Sequence, residues 1–270
     1  MSKFSYSQND TVKNDEKINE KISQFLLNKF DKISILTLSS RHDRRTGIVK
    51  MLGNIGIKET DVDMHVSTIF PYNKLIIDAF NKSFYPKRCF TKANEFDCAR
   101  NHYGIVKQAL DEGKEHILII EDDIRIFHYK DLLYSYLEAI PEDYDVLQFG
   151  GFTTDPRAGE ILEGYNKGVR WVKHPDVLLW NASMYALSRK GMQYYIAYMD
   201  QFFTVADMPL YIAPKNDKII NTYAPTIPLV IQADKELVVS DIRSKENDPI
   251  NYKTMNVYES GWSENDYFIY

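Results

Sequence analysis

Cysteine is nearly missing from this chain. Cys89 and Cys98 are the only two in 270 residues, too few for a disulfide framework or a cysteine-rich zinc site, so a reducing compartment is expected. Long apolar runs are missing too: no window approaches the roughly 18 apolar residues of a membrane span, and the N-terminal segment does not resemble a signal peptide. The expectation is a soluble cytoplasmic protein, with peripheral attachment to a membrane surface left open. Glycine (12) and proline (10) are sparse and nowhere gather into a linker. Positive charge is not in surplus, since 33 Lys+Arg stand against 38 Asp+Glu for a net charge of −5. The chain as a whole therefore does not attract nucleic acid, and any anionic ligand must be held by local cations or a metal. A glycine-rich phosphate loop, a dinucleotide fingerprint, a nucleophile elbow and a paired-histidine zinc helix are all absent, which argues against kinases, P-loop NTPases, NAD-dependent dehydrogenases, α/β-hydrolases and zincin proteases.

What is present is ordinary globular composition, 44% apolar and 26% charged, in a length that allows one large domain or two small ones. Residues 1–14 are polar and aperiodic and read as a mobile tail. From 15 to 30, Ile18, Ile22, Phe25, Leu26 and Phe30 recur at helical spacing, which predicts an amphipathic helix packed on the domain or, alternatively, one docking a partner or membrane. Then strand and helix signals alternate. The run 33–38 is a strand followed by a polar turn and a helix to about 54; 72–84 and 97–110 read as helices; 116–120 is a continuous apolar strand of the type buried on both faces. Strands are expected near 144–149, 169–172, 182–187, 219–223 and 229–232, with a helix over 189–199. Alternation of this kind predicts a mostly parallel α/β sheet flanked by helices in a single domain. Residues 1–31 form its tail and helix, 32–243 the domain, and 244–270 an arm whose Tyr252, Tyr258, Trp262, Tyr267, Phe268 and Tyr270 are expected to lie on its surface, with an acceptor-binding or oligomerising role as the alternative.

The strongest chemical feature is Ile120-Glu121-Asp122-Asp123. A buried strand that runs directly into three carboxylates places them at its C-terminal edge, where open α/β sheets hold ligands. Side chains alternate along a strand, so Glu121 and Asp123 are expected on one side and Asp122 on the other. Three adjacent carboxylates raise one another's pKa unless a cation intervenes. A hard divalent ion such as Mg²⁺ or Mn²⁺ suits them, and a solvated turn or a helix N-cap is the plainer alternative. The turn Ser39-Ser40-Arg41-His42-Asp43-Arg44-Arg45 sets three arginines at a helix start, a pattern suited to phosphate or to an ordinary solvated surface. Asp207 precedes a short apolar helix and, taken alone, reads first as an N-cap, with a catalytic carboxylate as the alternative; Asp241 carries a similar caution. His102 within a helix, and Trp171 and Trp180, read as packing residues or as ligand contacts.

Taken in order, these segments resemble glycosyltransferase family 25, the lipopolysaccharide and collagen-type galactosyltransferases with a GT-A-like, Rossmann-like fold. The resemblance runs over 33–242 and rests on Leu38-Ser39-Ser40-Arg41-His42-Asp43-Arg44-Arg45, Cys98-Ala99-Arg100-Asn101-His102, Ile120-Glu121-Asp122-Asp123, Tyr185-Ala186-Leu187-Ser188, Asp207 and Ser240-Asp241-Ile242. The chain departs from the family at Asp97 and Asn101, where Gly and Ser are usual, and at Thr37, where Asn is common. The resemblance implies Asp123, with Glu121 and Asp241, as ligands of Mn²⁺ or Mg²⁺. It implies Leu38, Ser39, Arg41, Arg44, His102, Glu121 and Asp122 around a nucleotide-diphosphate sugar, expected to be UDP-galactose, and Asp207 as the general base of an inverting transfer. The acceptor is then a glycan, glycolipid or glycoprotein of surface polysaccharide or glycoconjugate biosynthesis. A non-catalytic glycan- or nucleotide-sugar-binding protein on the same fold, or a sugar nucleotidyltransferase, are the competing expectations.

Overall fold

The computed structural model describes residues 8–67, 93–150, 160–161, 171–173, 182–210, 219–225 and 229–232. Helix α1 (Gln8–Lys29) starts ahead of the expected position and takes in part of the segment read as a tail. Its apolar face buries Ile22 and Leu26, and Phe30 follows just beyond its end. It packs on α4 (Lys130–Glu138), where Lys21 also lies over the Tyr134 ring. Thus the apolar stripe of α1 is spent on the domain itself.

Strand β1 (Lys32–Leu38) leads through α2 (His42–Gly53) to β2 (Asp63–Ser67), and α3 (Ala93–Asp111) leads to β3 (His116–Glu121). A short β4 (Ile124–Ile126) follows directly. After α4 come β5 (Val146–Gln148), β6 (Glu160–Ile161), β7 (Trp171–Lys173), β8 (Met184–Ser188), α5 (Arg189–Phe202), β9 (Thr222–Pro225) and β10 (Val230–Gln232). The main sheet has eight strands in the order β2-β1-β3-β8-β5-β9-β7-β6. Pairs β1–β2, β1–β3 and β5–β9 are parallel, whereas β3–β8, β8–β5, β9–β7 and β7–β6 are antiparallel. Only β8 and β7 therefore oppose the common direction, and the sheet is mostly parallel, as expected. Strands β4 and β10 form a separate antiparallel ribbon.

Alternation along the central strands builds two apolar layers. On one face Ile33, Ile35, Leu118, Ile120 and Ala186 meet Ile22 and Leu26 of α1, Ile48 and Met51 of α2, and Leu133 and Tyr136 of α4. On the other, Leu36, Ile117, Ile119, Tyr185 and Leu187 meet Ala99, Ile105, Val106 and Ala109 of α3 and Met192, Tyr195 and Met199 of α5. Strand β3 is thus covered on both sides, which is why its residues read as an unbroken apolar run. Trp171 belongs to the first layer: it is fully buried, donates its indole N–H to the Tyr136 carbonyl at 2.9 Å and meets Phe149 edge-on. It is a core residue and not a platform for a sugar ring. Among the described residues no helix is long and apolar enough to cross a membrane. The expected helix 72–84, Cys89, Trp180, Asp241 and the arm 244–270 lie outside the described residues.

Two polar junctions fix the frame. Asp31 accepts the backbone N–H groups of Glu115 and His116 at 2.8 and 2.9 Å, tying the chain after α1 to the start of β3. Buried Asp145 accepts Ser188 Oγ at 3.1 Å, Lys190 Nζ at 2.9 Å and the Asn221 N–H at 2.9 Å, drawing the end of β8 to β5 and β9. Ser188 in turn caps α5 by accepting the Gly191 N–H at 3.1 Å. A Cβ on Gly191 would overlap the Asp145 carbonyl oxygen. Gly191→Ala is accordingly expected to cost about 2 kcal/mol or more by overpacking, read as a lowered midpoint in urea unfolding. Partial burial would raise the Asp31 carboxyl, but its His116 and Glu115 hydrogen bonds outweigh this and leave it below 3.8. The contribution of Asp31 is therefore present above that pH and lost on acidification through the folded value. Asp31→Ala should lower the melting temperature at pH 7, and the gap to wild type should close as the pH falls below 3.8.

Candidate active site

The site lies at the C-terminal edge of β1 and β3. Because β3 keeps its alternation to its end, Glu121 continues the face of Ile117 and Ile119 toward α3, and Asp122 continues the face of Leu118 and Ile120 toward α2. The turn after Glu121 is pinned by backbone bonds from the Glu121 N–H to the Ser183 carbonyl (2.7 Å) and from the Asp122 N–H to the Leu36 carbonyl (3.1 Å).

Asp122 is a buried carboxylate occupied from within. It accepts Thr37 Oγ1 at 2.5 Å and Arg44 Nη1 at 3.3 Å. Burial pushes its carboxyl up, against the pull of Thr37 and Arg44. Arg44 Nη1 also lies 3.6 Å from Asp123. Asp123 is pushed up to about 7, first by burial and then by the Glu121 charge, which Arg44 only partly offsets. Its Oδ1 is buried with no hydrogen-bond partner among the described residues.

Glu121 meets two groups from α3, Cys98 and His102, which stand one helical turn apart and so share a face. Cys98 Sγ lies 3.8 Å and His102 Nε2 lies 3.1 Å from the same oxygen, Oε1. Behind the imidazole, Nδ1 is 3.0 Å from the Tyr185 hydroxyl. Tyr185 stacks beside Tyr195 with ring centroids 6.5 Å apart, and the Tyr195 hydroxyl donates to the Ala206 carbonyl at 3.2 Å. His102 is thus completely buried yet reaches both Tyr185 and Glu121, so it is more than a packing residue.

Asp207 sits partly buried in the turn after Val205, where the Met208 N–H donates to the Val205 carbonyl at 3.1 Å. Its position relative to the strand edge is visible in Cys98, whose thiol is pushed well up by burial and then by the charges of Glu121, Asp207 and Asp123. Three carboxylates from two distant segments therefore lie near enough for their charges to act on one thiol.

The arginine turn is engaged by oxygens of the chain itself. Arg41 pairs with Asp43 at 2.8 Å. Arg45 donates to the Leu38 and Ser39 carbonyls, and Arg44 is buried against Asp122 and Asp123. All three guanidinium groups contact the chain's own oxygens, and Arg44 braces the acidic strand end. Ser39 is exposed, and its N–H is held by the Ser67 carbonyl at 2.7 Å; Leu38 ends β1 partly buried. The departures noted in the sequence have structural partners: Thr37 holds Asp122, Asn101 donates to Ser67 Oγ at 2.8 Å, and Asp97 faces Arg100 at 3.6 Å.

A hard divalent cation fits this edge. It would give Asp123 Oδ1 a partner, offset the burial that raises the Asp123 carboxyl most, and cancel the added repulsion from Glu121. Cys98, Thr37, Tyr185 and Tyr195 were not singled out as functional candidates from sequence. The one available signal was the four-residue spacing of Cys98 and His102 on a predicted helix.

No family model matches the chain. It is similar to procollagen galactosyltransferase 2 of Mus musculus and of Homo sapiens, each 27% identical over 131 residues that cover 45% of this chain and 21% of that protein. It is also similar to probable inactive glycosyltransferase 25 family member 3 of Bos taurus, 23% identical over 145 residues, or 50% of this chain and 24% of that one. The match thus spans less than a quarter of the length of these relatives. Among solved structures, A197 from STIV aligns with 79% of this chain and 99% of its own, at 10% identity and a TM-score of 0.35. The similarity to distant glycosyltransferases of family 25 agrees with the resemblance carried by the motifs.

Removing Arg44 leaves Asp122 and Asp123 without their buried counter-charge. Arg44→Ala is expected to cost about 3 kcal/mol in urea unfolding without added metal. Adding Asp122→Asn to that variant should recover part of the loss, because the second change removes the charge left unpaired.

Proposed function

We propose that this chain is a metal-dependent inverting glycosyltransferase that moves a hexose, galactose foremost, from a nucleotide-diphosphate sugar to a glycan hydroxyl. The observation that carries the reading is the set of carboxylates Glu121, Asp123 and Asp207 near the C-terminal edge of a mostly parallel sheet, close enough for all three charges to act on Cys98. The distant relatives named galactosyltransferases support the reaction class.

In this reading Asp123 and Glu121 hold the cation, Mn²⁺ or Mg²⁺, with Asp241 as a further ligand. Once bound, the ion supplies positive charge against that developing on the departing diphosphate. Arg44 and Thr37 keep Asp122 in place, so that the turn bearing Asp123 does not collapse toward α2. Asp207 takes the proton from the acceptor hydroxyl as that oxygen attacks the anomeric carbon. His102, fixed by Tyr185, holds Glu121 in one orientation. Precise placement of these groups matters because proximity and orientation can supply several kcal/mol of the barrier lowering.

The test is release of nucleotide diphosphate by the full chain from a panel of UDP- and GDP-sugars, with and without Mn²⁺. Activity that needs the metal and is lost in Asp123→Ala supports the reading; failure of any nucleotide diphosphate to bind with Mn²⁺ ends it. Asp207→Asn should retain UDP binding and lose transfer by about 100-fold or more. One relative bears the name of a probable inactive glycosyltransferase, which favours a second reading, a nucleotide-sugar-binding protein without turnover. Its signature is Mn²⁺-dependent UDP binding, lost in Asp123→Ala, with no release of product from any donor.

A further inference from the structure

We propose that Cys98, His102 and Glu121 form a binding site for one borderline-soft divalent ion of the zinc class. It differs in chemistry from the hard-ion position at Asp123 and shares only Glu121 with it. The inference goes beyond the transferase reading and stands without it.

Three donor types converge here, a thiol, an imidazole and a carboxylate, with their ligand atoms all within 4.8 Å of one another. The separations from Glu121 Oε1 are 3.1 Å to His102 Nε2 and 3.8 Å to Cys98 Sγ. Four-coordinate zinc with ligands at about 2.0–2.3 Å keeps neighbouring ligand atoms roughly 3.3–3.7 Å apart, so little movement is needed to admit the ion. Sulfur in the set favours zinc-class ions over Mg²⁺ and Mn²⁺.

The surroundings of His102 add to the argument. Its Nδ1 lies 3.0 Å from the Tyr185 hydroxyl, and its Nε2 faces the Glu121 carboxylate at 3.1 Å, so an N–H at Nδ1 has an acceptor and Nε2 is the nitrogen turned toward the other donors. Fixing Nδ1–H through an outer partner is also how proteins prepare a histidine to bind metal through Nε2. His102 is completely buried, but the Glu121 side chain is 18% exposed, which leaves a route of entry. On binding, the Cys98 S–H releases its proton to solvent and the thiolate bonds the ion, one proton per ion, and the fourth position falls to water.

The experiment is a Co²⁺ titration of the full chain without nucleotide, followed by absorbance. The expected result is a single site with a thiolate-to-cobalt charge-transfer band and tetrahedral d–d bands, displaced one-for-one by Zn²⁺ and not by Mg²⁺. Cys98→Ser should abolish the charge-transfer band, while Cys89→Ser should keep it; circular dichroism checks that both are folded. Tyr185→Phe keeps all three ligands but frees the imidazole, and should weaken Zn²⁺ binding by about 10-fold. Absence of the thiolate band in wild type, or its persistence in Cys98→Ser, overturns the proposal. Because no donor or acceptor is present, the outcome is independent of whether the chain proves to be a transferase.

Discussion

The Arg44 guanidinium is the group on which the acidic end of β3 depends. A strand covered on both faces emerges beside α2, and the first carboxylate on that side, Asp122, is nearly as buried as the isoleucines before it. An isolated carboxylate there would cost several kcal/mol or take up a proton. Arg44, together with the hydroxyl of Thr37, makes that position tolerable. Asp122 can then remain inside, which sets the direction of the turn and leaves Asp123 at its edge. A charge brought into the interior for structural reasons therefore positions another that, among the described residues, has no partner for one of its oxygens.

The two sides of β3 end in different kinds of chemistry. Toward α2 the groups are hard and ionic: carboxylates and a guanidinium. Toward α3 and α5 they are softer and joined by shared hydrogens: a thiol, an imidazole and two phenols. Both sets meet at consecutive residues, Glu121 and Asp122, because a strand sends successive side chains to opposite faces. The same alternation that sorts Ile117 from Leu118 into separate apolar layers thus also separates the polar functions beyond them.

Much of this was legible in the sequence wherever the signal was local. The apolar run before Glu121, the amphipathic stripe of α1 and the strand–turn–helix start of the domain all follow from spacing and residue type, and the alternation of carboxylates could be read directly. What could not be read were contacts between distant segments. The three arginines of the first turn look alike in sequence, yet Arg44 is consumed by a carboxylate 78 residues away, while its neighbours answer local oxygens. His102 looked like a solitary helix histidine because Tyr185, its partner, is 83 residues distant. Trp171 was ambiguous for the same reason: an indole on a strand can face a ligand or a core, and only the packing of Tyr136 and Phe149 decides.

Strand β8 runs against its neighbours β3 and β5. It begins beside the end of β3, where Met184 pairs with Ile120, and finishes beside the start, where Ser188 pairs with His116. The helix that follows must therefore climb back the full height of the sheet, and its 14 residues, at about 1.5 Å each, are enough to do so. The loop beyond it arrives at the edge where Glu121 and Asp123 already stand. Had β8 run with the sheet, that same helix would have carried Asp207 to the far side of the molecule. Reversing one strand is what lets residues more than eighty positions apart in the chain bring their charges to bear on one thiol.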